Sequence, residues 1–158
     1  MAETATKPRT PAQSGRTELR LAGRALAHWE ELRGARRFPS RADIEAIALP
    51  FDRANVFVVR MGIDELSDEV VEAGDAVDRA LGLKAVGRRI IDVLPSSTEH
   101  GLSFCRAAAQ MRKPIADVGR FTNAAGHEVY YRSILLPLSD DQIEVNYILG
   151  VFSFKFVD

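Results

Sequence analysis

Three histidines and one cysteine are the residues of this chain best suited to ligate a metal or act as nucleophiles. His28, His100 and His127 are scattered, and none pairs with another His or Cys at the spacing of a zinc site. There is no G-x-S-x-G, no phosphate-binding P-loop and no dinucleotide-binding glycine pattern. The sequence therefore predicts that the protein is not an enzyme. The alternative is a small enzyme in an α+β cone that uses an acid such as Glu144 as its base.

Charged residues are distributed unevenly along the chain. Residues 16–41 contain seven arginines and three acids, whereas residues 64–78 contain seven acids and no base. We interpret these segments as solvated surfaces of opposite sign, with a charged docking face for a partner as the alternative. The net charge of −1 argues against a nucleic-acid partner. The R-x-x-x-R spacing of Arg37 and Arg41 lacks the D/N-x-S-x-x-G companion of a cyclic-dinucleotide site.

The cellular setting is predicted from what the sequence lacks. A single cysteine, Cys105, cannot form a disulfide within the chain, which fits a reducing cytoplasm. No apolar stretch has transmembrane length, and residues 1–15 lack the apolar core of a secretory signal. We predict a cytoplasmic protein with no membrane partner. Abundant alanine and an excess of arginine over lysine suggest a bacterial source.

An amphipathic helix is predicted near the N-terminus, from Thr17 as its cap to about Arg33, with Gly34 ending it. Its apolar residues recur at three- and four-residue spacing and form one stripe. The stripe includes Leu19, Ala22, Leu26 and Trp29. Ser40 is predicted to cap a short second helix. The predicted organisation is a disordered tail over 1–16, a helical extension over 17–50 and a core over 51–158.

The C-terminal residues 127–156 predict an antiparallel hairpin, because two long apolar and aromatic runs flank a polar turn. Both alternating sets of the second run are apolar. One set includes Tyr147, Leu149 and Val151, and the other includes Ile148, Phe152 and Phe154. A sheet with one wet face would show polar residues in one set. We therefore expect both faces of this hairpin to be covered.

The remaining elements complete an α+β domain. Strands are predicted over 55–61, 67–73 and 113–121, with short helices at 76–81 and 88–94 and a longer helix over 97–112. This order favours a five-stranded antiparallel sheet with helices on one face. The N-terminal helix is the expected cover of the other face.

This order of elements resembles the PAS fold. The likeness is sharpest at Trp29, the turn 37–44, the Gly87-Arg88 pair and the segment 135–140, and it spans about residues 19–156. These features resemble a PAS subfamily of alphaproteobacteria. The resemblance implies a sensory or protein-interaction module. Ala46, where the family often has proline, and the acidic strand 68–73 depart from its pattern.

The resemblance to PAS domains raises two cofactors, flavin and haem. The segment 101–110 is similar to the flavin-binding motif G-x-N-C-R-F-L-Q, but Phe104 stands where the motif has Asn. Only Gln142 and Asn146 could serve the flavin ring, so Cys105 is interpreted as a small buried apolar residue. His100 is the one candidate for a haem ligand on the long helix. The cofactor is left unknown, with flavin and haem disfavoured.

PAS domains hold ligands between the long helix and the sheet, which directs attention to the residues expected there. The helical candidates share three- and four-residue spacing and are Phe104, Cys105, Ala108 and Met111. The strand candidates are polar or aromatic and are Arg60, Tyr131, Arg132, Asn146 and Tyr147. Whichever arginine or asparagine points inward is expected to anchor a carboxylate or another polar ligand. The alternative is a filled core with these groups at the sheet edge.

The function predicted from the sequence is a cytoplasmic PAS signalling module that acts through protein association, modulated by a small ligand. Expected partners are a second copy of the chain, in a twofold dimer, and a signalling protein. The N-terminal stripe is the expected contact, either on the chain's own sheet or on a second copy. A ligand-free dimerisation or scaffold protein is the alternative.

Overall fold

The computed structural model describes residues 10–46, 49–93 and 99–157, with the side chains of residues 21–46, 49–64, 66–93 and 105–157. Five α-helices occur in this part of the chain. They are α1 (Thr10–Arg33), α2 (Arg41–Ala46), α3 (Asp75–Leu81), α4 (Ile90–Val93) and α5 (Glu99–Met111). None of these described helices combines the length and the apolar character needed to cross a membrane.

The strands form one antiparallel sheet. In chain order they are β1 (Val56–Arg60), β2 (Glu69–Ala73), β3 (Ile115–Thr122), β4 (Glu128–Leu138) and β5 (Tyr147–Phe156). Their order across the sheet is β2–β1–β5–β4–β3. Every neighbouring pair is antiparallel. The β-branched and aromatic residues of β1, β4 and β5 suit a pleated sheet with both faces packed.

The two faces of the sheet pack against different helices. The inner face carries Val59, Ile148 and Phe152 and packs on residues of α3, α4 and α5, which together form the inner core. The outer face carries Val58, Leu136 and other apolar residues and packs on α1, which forms the outer core. The predicted α+β architecture, with the N-terminal helix covering the second face, is confirmed. The apolar alternation of β5 is divided between these two cores as predicted.

Helix α1 begins at Thr10, earlier than the predicted start at Thr17. Pro11 stands in its first turn, where the missing N–H has no helical partner to lose. The predicted end is confirmed, since Gly34 takes a left-handed conformation (φ 56°) after Arg33. Residues 10–16 are therefore helical rather than part of a tail, and the prediction for residues 1–9 lies outside the described residues.

Short polar side chains end or begin the smaller elements. Ser40 Oγ accepts from the Asp43 amide at 3.1 Å, and the Asp43 carboxylate accepts from the Ser40 amide at 2.9 Å, so Ser40 caps α2 as predicted. Gly74 is the N-cap of α3, which begins at Asp75, one residue before the predicted start. Glu65–Ser67 form a 3₁₀ turn, so β2 begins at Glu69 rather than at the predicted residue 67.

We predict that Gly74→Ala lowers the free energy of unfolding by about 2 to 3 kcal/mol, because its methyl group overpacks the backbone. An ideal Cβ at Gly74 would lie 2.2 Å from the carbonyl oxygen of Arg53 and 2.4 Å from that of Ala54. The Gly74 amide also donates to the Val56 carbonyl at 2.8 Å, which holds α3 against β1. Urea denaturation measures the change.

Gly23→Ala is the matched control for Gly74→Ala. A Cβ at Gly23 meets nothing within 4 Å, and the residue lies inside α1. Alanine in a helix interior is favoured over glycine by about 0.5 to 1 kcal/mol, so this variant should be more stable than the parent. Equal effects of the two substitutions would contradict the steric argument.

Candidate functional site

A cavity of about 70 Å³ lies between the helices and the inner face of the sheet. Its helical wall comes from α3, α4 and α5, and its sheet wall comes from all five strands. Apolar side chains supply most of the lining, among them Phe57, Leu135 and Phe152. The Phe57 ring occupies the space beside Gly150 of β5, where an added Cβ would stand 2.1 Å from the Phe57 Cζ. The cavity is therefore a concave and largely apolar space within the inner core.

One corner of the cavity is polar. Asp117 of β3 and Ser133 of β4 are register partners, and both line the cavity while being only 7% exposed. Tyr131 Oη donates to Asp117 Oδ2 at 2.7 Å. Its ring reaches the carboxylate by passing over Gly119, where an added Cβ would be 3.2 Å from the hydroxyl. Glycine at this register position thus allows the tyrosine–aspartate contact.

The Tyr131 hydroxyl remains protonated at physiological pH. Burial, and then the hydrogen bond to Asp117, raise its pKa above the ordinary value for tyrosine. A protonated phenol uses its hydrogen on the carboxylate and still presents oxygen lone pairs. Asp117 and Tyr131 therefore give this corner of the cavity an acceptor character.

Cys105 of α5 lies on the helical side of the cavity and is buried. Burial raises the pKa of its thiol to about 12, and the nearby carboxylates of Asp68 and Asp117 add to the rise. The thiolate, not the thiol, is the nucleophile, so this cysteine is an inert wall residue in the folded protein.

Native Cys105 is predicted to resist a thiol reagent such as dithionitrobenzoate at pH 8, and to react completely after unfolding in urea. The pKa of an exposed thiol is about 8.5. Because the folded thiol holds its proton to about pH 12, the folded state binds the extra proton above pH 8.5, and stability falls as pH rises through that window. Cys105 is the only cysteine, so the absorbance is unambiguous. Rapid labelling of native protein would contradict this.

A buried ion pair fastens α5 to the connection between β1 and β2. Arg106 contacts the Asp68 carboxylate and also donates to the Gly62 carbonyl at 3.2 Å. Asp68 Oδ1 accepts from the Gly62 amide at 2.7 Å. The Asp68 side chain is 2% exposed and that of Arg106 is 18% exposed. Arg106 is thereby committed to a structural contact beside the cavity.

Four of the predicted strand candidates, among them the three expected anchors, do not point into the cavity. Arg60 is exposed and pairs with Glu69 on the neighbouring strand. Arg132 lies on the opposite face of β4 from Tyr131 and lines a surface groove. The amide of Asn146 bonds to Asp140 in the turn before β5. Tyr147 belongs to the outer core. Strand alternation thus places Arg60, Arg132 and Tyr147 outside the inner face, and Asn146 lies before the strand begins.

The helical candidates divide similarly. Ala108 is buried in the inner core next to Cys105. Met111 is 54% exposed, which corrects the expectation that it faces the sheet. The buried stripe continues from Ala108 to Ala109, which packs against the inner core, and α5 ends at Met111. The side chain of Phe104 lies outside the described residues.

Two polar residues that line the cavity, Asp117 and Ser133, were not predicted, because charged and hydroxyl residues in strands usually face water. A signal was present in β3. Ile115 and Phe121 share the alternating set of Asp117, whereas the other set contains Arg120. This shared alternating set predicts that Asp117 points toward the inner core.

The outer face carries the predicted interaction helix. Trp29 is 4% exposed, and its Nε1 donates to the Pro137 carbonyl of β4 at 2.8 Å. Ala22 and Leu26 are partly buried against the same outer core. Of the two arrangements considered, the described part of the stripe covers the chain's own sheet. The side chain of Leu19 lies outside the described residues.

Gln142 ties the end of α1 to the β4–β5 turn. Its Oε1 accepts from the amides of Arg37 and Phe38 at 3.0 and 3.1 Å, and its Nε2 donates to the Phe38 carbonyl at 2.9 Å. The Ser139 amide donates to the Pro39 carbonyl at 2.9 Å. The segment after α1 is therefore clamped to the hairpin.

The described residues do not fit a flavin. A cavity of about 70 Å³ is well below the roughly 300 to 1,000 Å³ of cofactor-sized sites. Gln142 and Asn146 are engaged in the hairpin turn, away from the cavity lining. The side chain of His100, the haem candidate, lies outside the described residues. Glu144, the candidate base, is exposed in the same turn.

Comparison with known proteins establishes the family. The PAS domain model matches residues 19–153, and the chain belongs to the PAS domain family. The fold is similar to the LOV domain of a blue-light activated histidine kinase from Erythrobacter litoralis (17% identity, TM-score 0.54, 70% of this chain, 100% of that chain). It is also similar to the PAS domain of a Colwellia psychrerythraea protein (18%, 0.52, 70% and 94%).

A LOV protein from Rhodobacter sphaeroides is similar at 20% identity and a TM-score of 0.52, over 63% of this chain and 57% of that one. The chain thus spans little more than half of that structure. At such identities these likenesses establish the fold alone. No protein with a curated description matches this chain. Family and fold together define a PAS-type sensory domain, while the alphaproteobacterial subfamily stays a prediction.

Proposed function

We propose that this PAS domain is a cytoplasmic, bacterial signalling module in which a small molecule in the cavity alters the packing of α1 and thereby the association of the protein. The observation that carries the proposal is the two-sided packing of β4. Tyr131, Ser133 and Leu135 of this strand line the cavity. The intervening Ile134 and Leu136 belong to the outer core under α1. One strand therefore lines the cavity with one face and contacts α1 with the other.

Two further contacts support this coupling. The Trp29 indole bonds directly to the backbone of β4 at Pro137, so a shift of the strand changes a buried hydrogen bond of α1. The Gln142 clamp transmits movement of the hairpin turn to the segment that follows α1. Coupling through packed elements of this kind requires a test by perturbation.

The proposal is tested on the full-length chain with its own reporter. Trp29 is the only tryptophan, so its emission monitors α1 docking. Native mass spectrometry of gently purified protein identifies a bound small molecule. Adding that molecule to ligand-stripped protein should shift Trp29 emission and change hydrogen exchange across α1. A ligand that binds while both signals stay constant contradicts the coupling.

For the partner, we propose a twofold homodimer that uses the N-terminal part of α1, with a signalling protein as its further contact. The described stripe from Ala22 to Trp29 lies on the chain's own sheet, so Leu19 is the position to test. Sedimentation should give a dimer for the parent chain and a monomer of unchanged stability for Leu19→Glu. A parent chain that sediments as a monomer rules out the homodimer.

A ligand-free PAS dimerisation or scaffold protein is the second candidate. The small volume of the cavity favours it, since about 70 Å³ leaves little room for a metabolite. Mass spectra of native protein that show no bound molecule, together with a stable dimer or a stable complex, would select this alternative.

A further inference from the structure

We infer that a surface groove, formed where α3 meets the β3–β4 turn and the end of β5, binds a small organic anion with a flat apolar body. The groove measures about 760 Å³, within the range of roughly 300 to 1,000 Å³ that is typical of ligand sites. It lies outside the cavity of the inner core, and the two share no described lining residue. This site goes beyond the proposed function and does not depend on a ligand in that cavity.

The walls of the groove are joined by hydrogen bonds. Asn123 Nδ2 donates to the Ala80 carbonyl of α3 at 3.1 Å. Asn123 Oδ1 accepts from the amides of Ala125 and His127 at 3.0 and 2.9 Å. The turn and α3 approach closely at Gly82, where an added Cβ would be 3.0 Å from the Ala125 amide nitrogen. The groove is therefore formed before a ligand arrives, which reduces the ordering cost of binding.

Two cations at the groove have no carboxylate partner. Arg79 and Lys84 both line it, both are exposed, and neither forms an ion pair with any residue that the structure describes. The Arg79 guanidinium lies 5.4 Å from the centre of the Phe154 ring. The one carboxylate in the described lining is that of Asp78, whose Oδ1 accepts from the Ala85 amide at 3.0 Å. An anion in the groove therefore approaches two cations without breaking an existing ion pair.

The end of α3 opposes an anion only weakly, because its carbonyl groups already have partners. The Asp78 carbonyl accepts from the Gly82 amide at 2.9 Å, and the Leu81 carbonyl accepts from the Ala124 amide at 3.0 Å. The Ala80 carbonyl is held by the turn, as described above. Free carbonyl groups at a helix C-terminus carry partial negative charge that would repel an anion. Here these hydrogen bonds reduce that repulsion.

The groove also has an apolar and aromatic wall. Phe156 lines it and is 41% exposed, and Leu83 and Val157 lie in the same lining. The His127 ring meets Phe156 edge to face, with 5.7 Å between the ring centres. Aromatic rings pack well against flat hydrocarbon groups, which gain by leaving water. A ligand with a negatively charged group and a flat apolar body therefore matches both parts of the groove.

Three naphthalene probes test the charge requirement. 2-Naphthoate is an anion, 2-naphthamide has nearly the same shape without a charge, and 2-naphthylmethylammonium is a cation. Titration of isotope-labelled full-length protein, followed at the methyl groups of Leu83 and Val157, measures each affinity. We expect naphthoate to bind roughly fivefold more tightly than naphthamide, as for one well-formed exposed ion pair, and the ammonium probe to bind most weakly. Added salt should reduce this preference, because exposed charges are screened.

The double variant Arg79→Gln, Lys84→Gln identifies the anchors. Both side chains are exposed, so the variant should fold as the parent does. It should still bind naphthamide, which shows that the groove is intact, and should lose the preference for naphthoate. Lys155→Gln is the matched control, because Lys155 precedes Phe156 on β5 but lies on the outer face, 6.0 Å from the Tyr130 ring centre. This control should keep the preference.

Four results would overturn the inference. Naphthamide could bind the parent chain as tightly as naphthoate, or the naphthoate preference could survive in the double variant. The probes could fail to shift Leu83 and Val157 at millimolar concentration, or could shift only Leu135, which lines the inner cavity. None of these results bears on the coupling between that cavity and α1, which has its own test.

Discussion

Trp29→Ala is expected to lower the free energy of unfolding by about 3 to 5 kcal/mol, the usual cost of removing a buried aromatic side chain. Trp29 is 4% exposed in the outer core, and its indole bonds to Pro137 of β4 at 2.8 Å. The alanine variant loses both the packing and the donor. For a chain of this length the melting temperature should fall by roughly 10 °C.

Trp29→Phe separates the two contributions. Phenylalanine keeps an aromatic ring between α1 and the sheet but cannot donate to Pro137, so it should cost about 1 to 3 kcal/mol. Hydrogen exchange shows whether the loss is local to α1 or shared by the sheet. An alanine variant with the parent's melting temperature and solution mass would mean that α1 does not stabilise the sheet.

Arg106→Met should cost about 3 to 5 kcal/mol, because it removes the cation from a buried carboxylate. The Asp68 side chain is 2% exposed, and it also accepts from the Gly62 amide. Methionine retains much of the arginine's apolar stem but none of its charge. Chemical denaturation of the full-length variant measures the loss.

The controls for Arg106→Met come from the same chain. Adding Asp68→Asn removes the buried charge while keeping an acceptor for Gly62, so the double variant should recover part of the stability. Arg60→Met breaks a comparable but exposed pair with Glu69, at 51% and 32% side-chain exposure, and should cost less than about 1 kcal/mol. Similar losses for Arg106→Met and Arg60→Met would show that burial of the pair contributes nothing.

Periodicity allowed the architecture to be predicted. The alternation of β5 placed Ile148 and Phe152 on one face and Leu149 and Val151 on the other, and the structure assigns these sets to the inner and outer cores. A strand with two apolar faces needs two covers, which made the role of α1 predictable from the hairpin. These conclusions depend only on the spacing of apolar residues, which can be read from a single sequence.

The residues that line the candidate site were harder to predict, because they depend on which alternating set of each strand faces inward. A single step in strand alternation separates Tyr131, which lines the cavity, from Arg132, which does not. On α5, two positions separate Ala109, which is half-buried against the inner core, from exposed Met111. The sequence predicted that an arginine or asparagine of the strands would point into the pocket. The charged strand residue that lines the cavity is instead the acidic Asp117.

The docking of α1 on β4 and β5 has a consequence for synthesis on the ribosome. The first described helix of the chain rests on the last two strands, and Gln142 joins segments that are 104 to 105 positions apart. The apolar stripe of α1 must therefore wait until β4 and β5 have emerged before it can pack on them. We expect nascent chains that lack β5 to expose this stripe, which would make completion of the hairpin the step that ends their exposure to chaperones and aggregation.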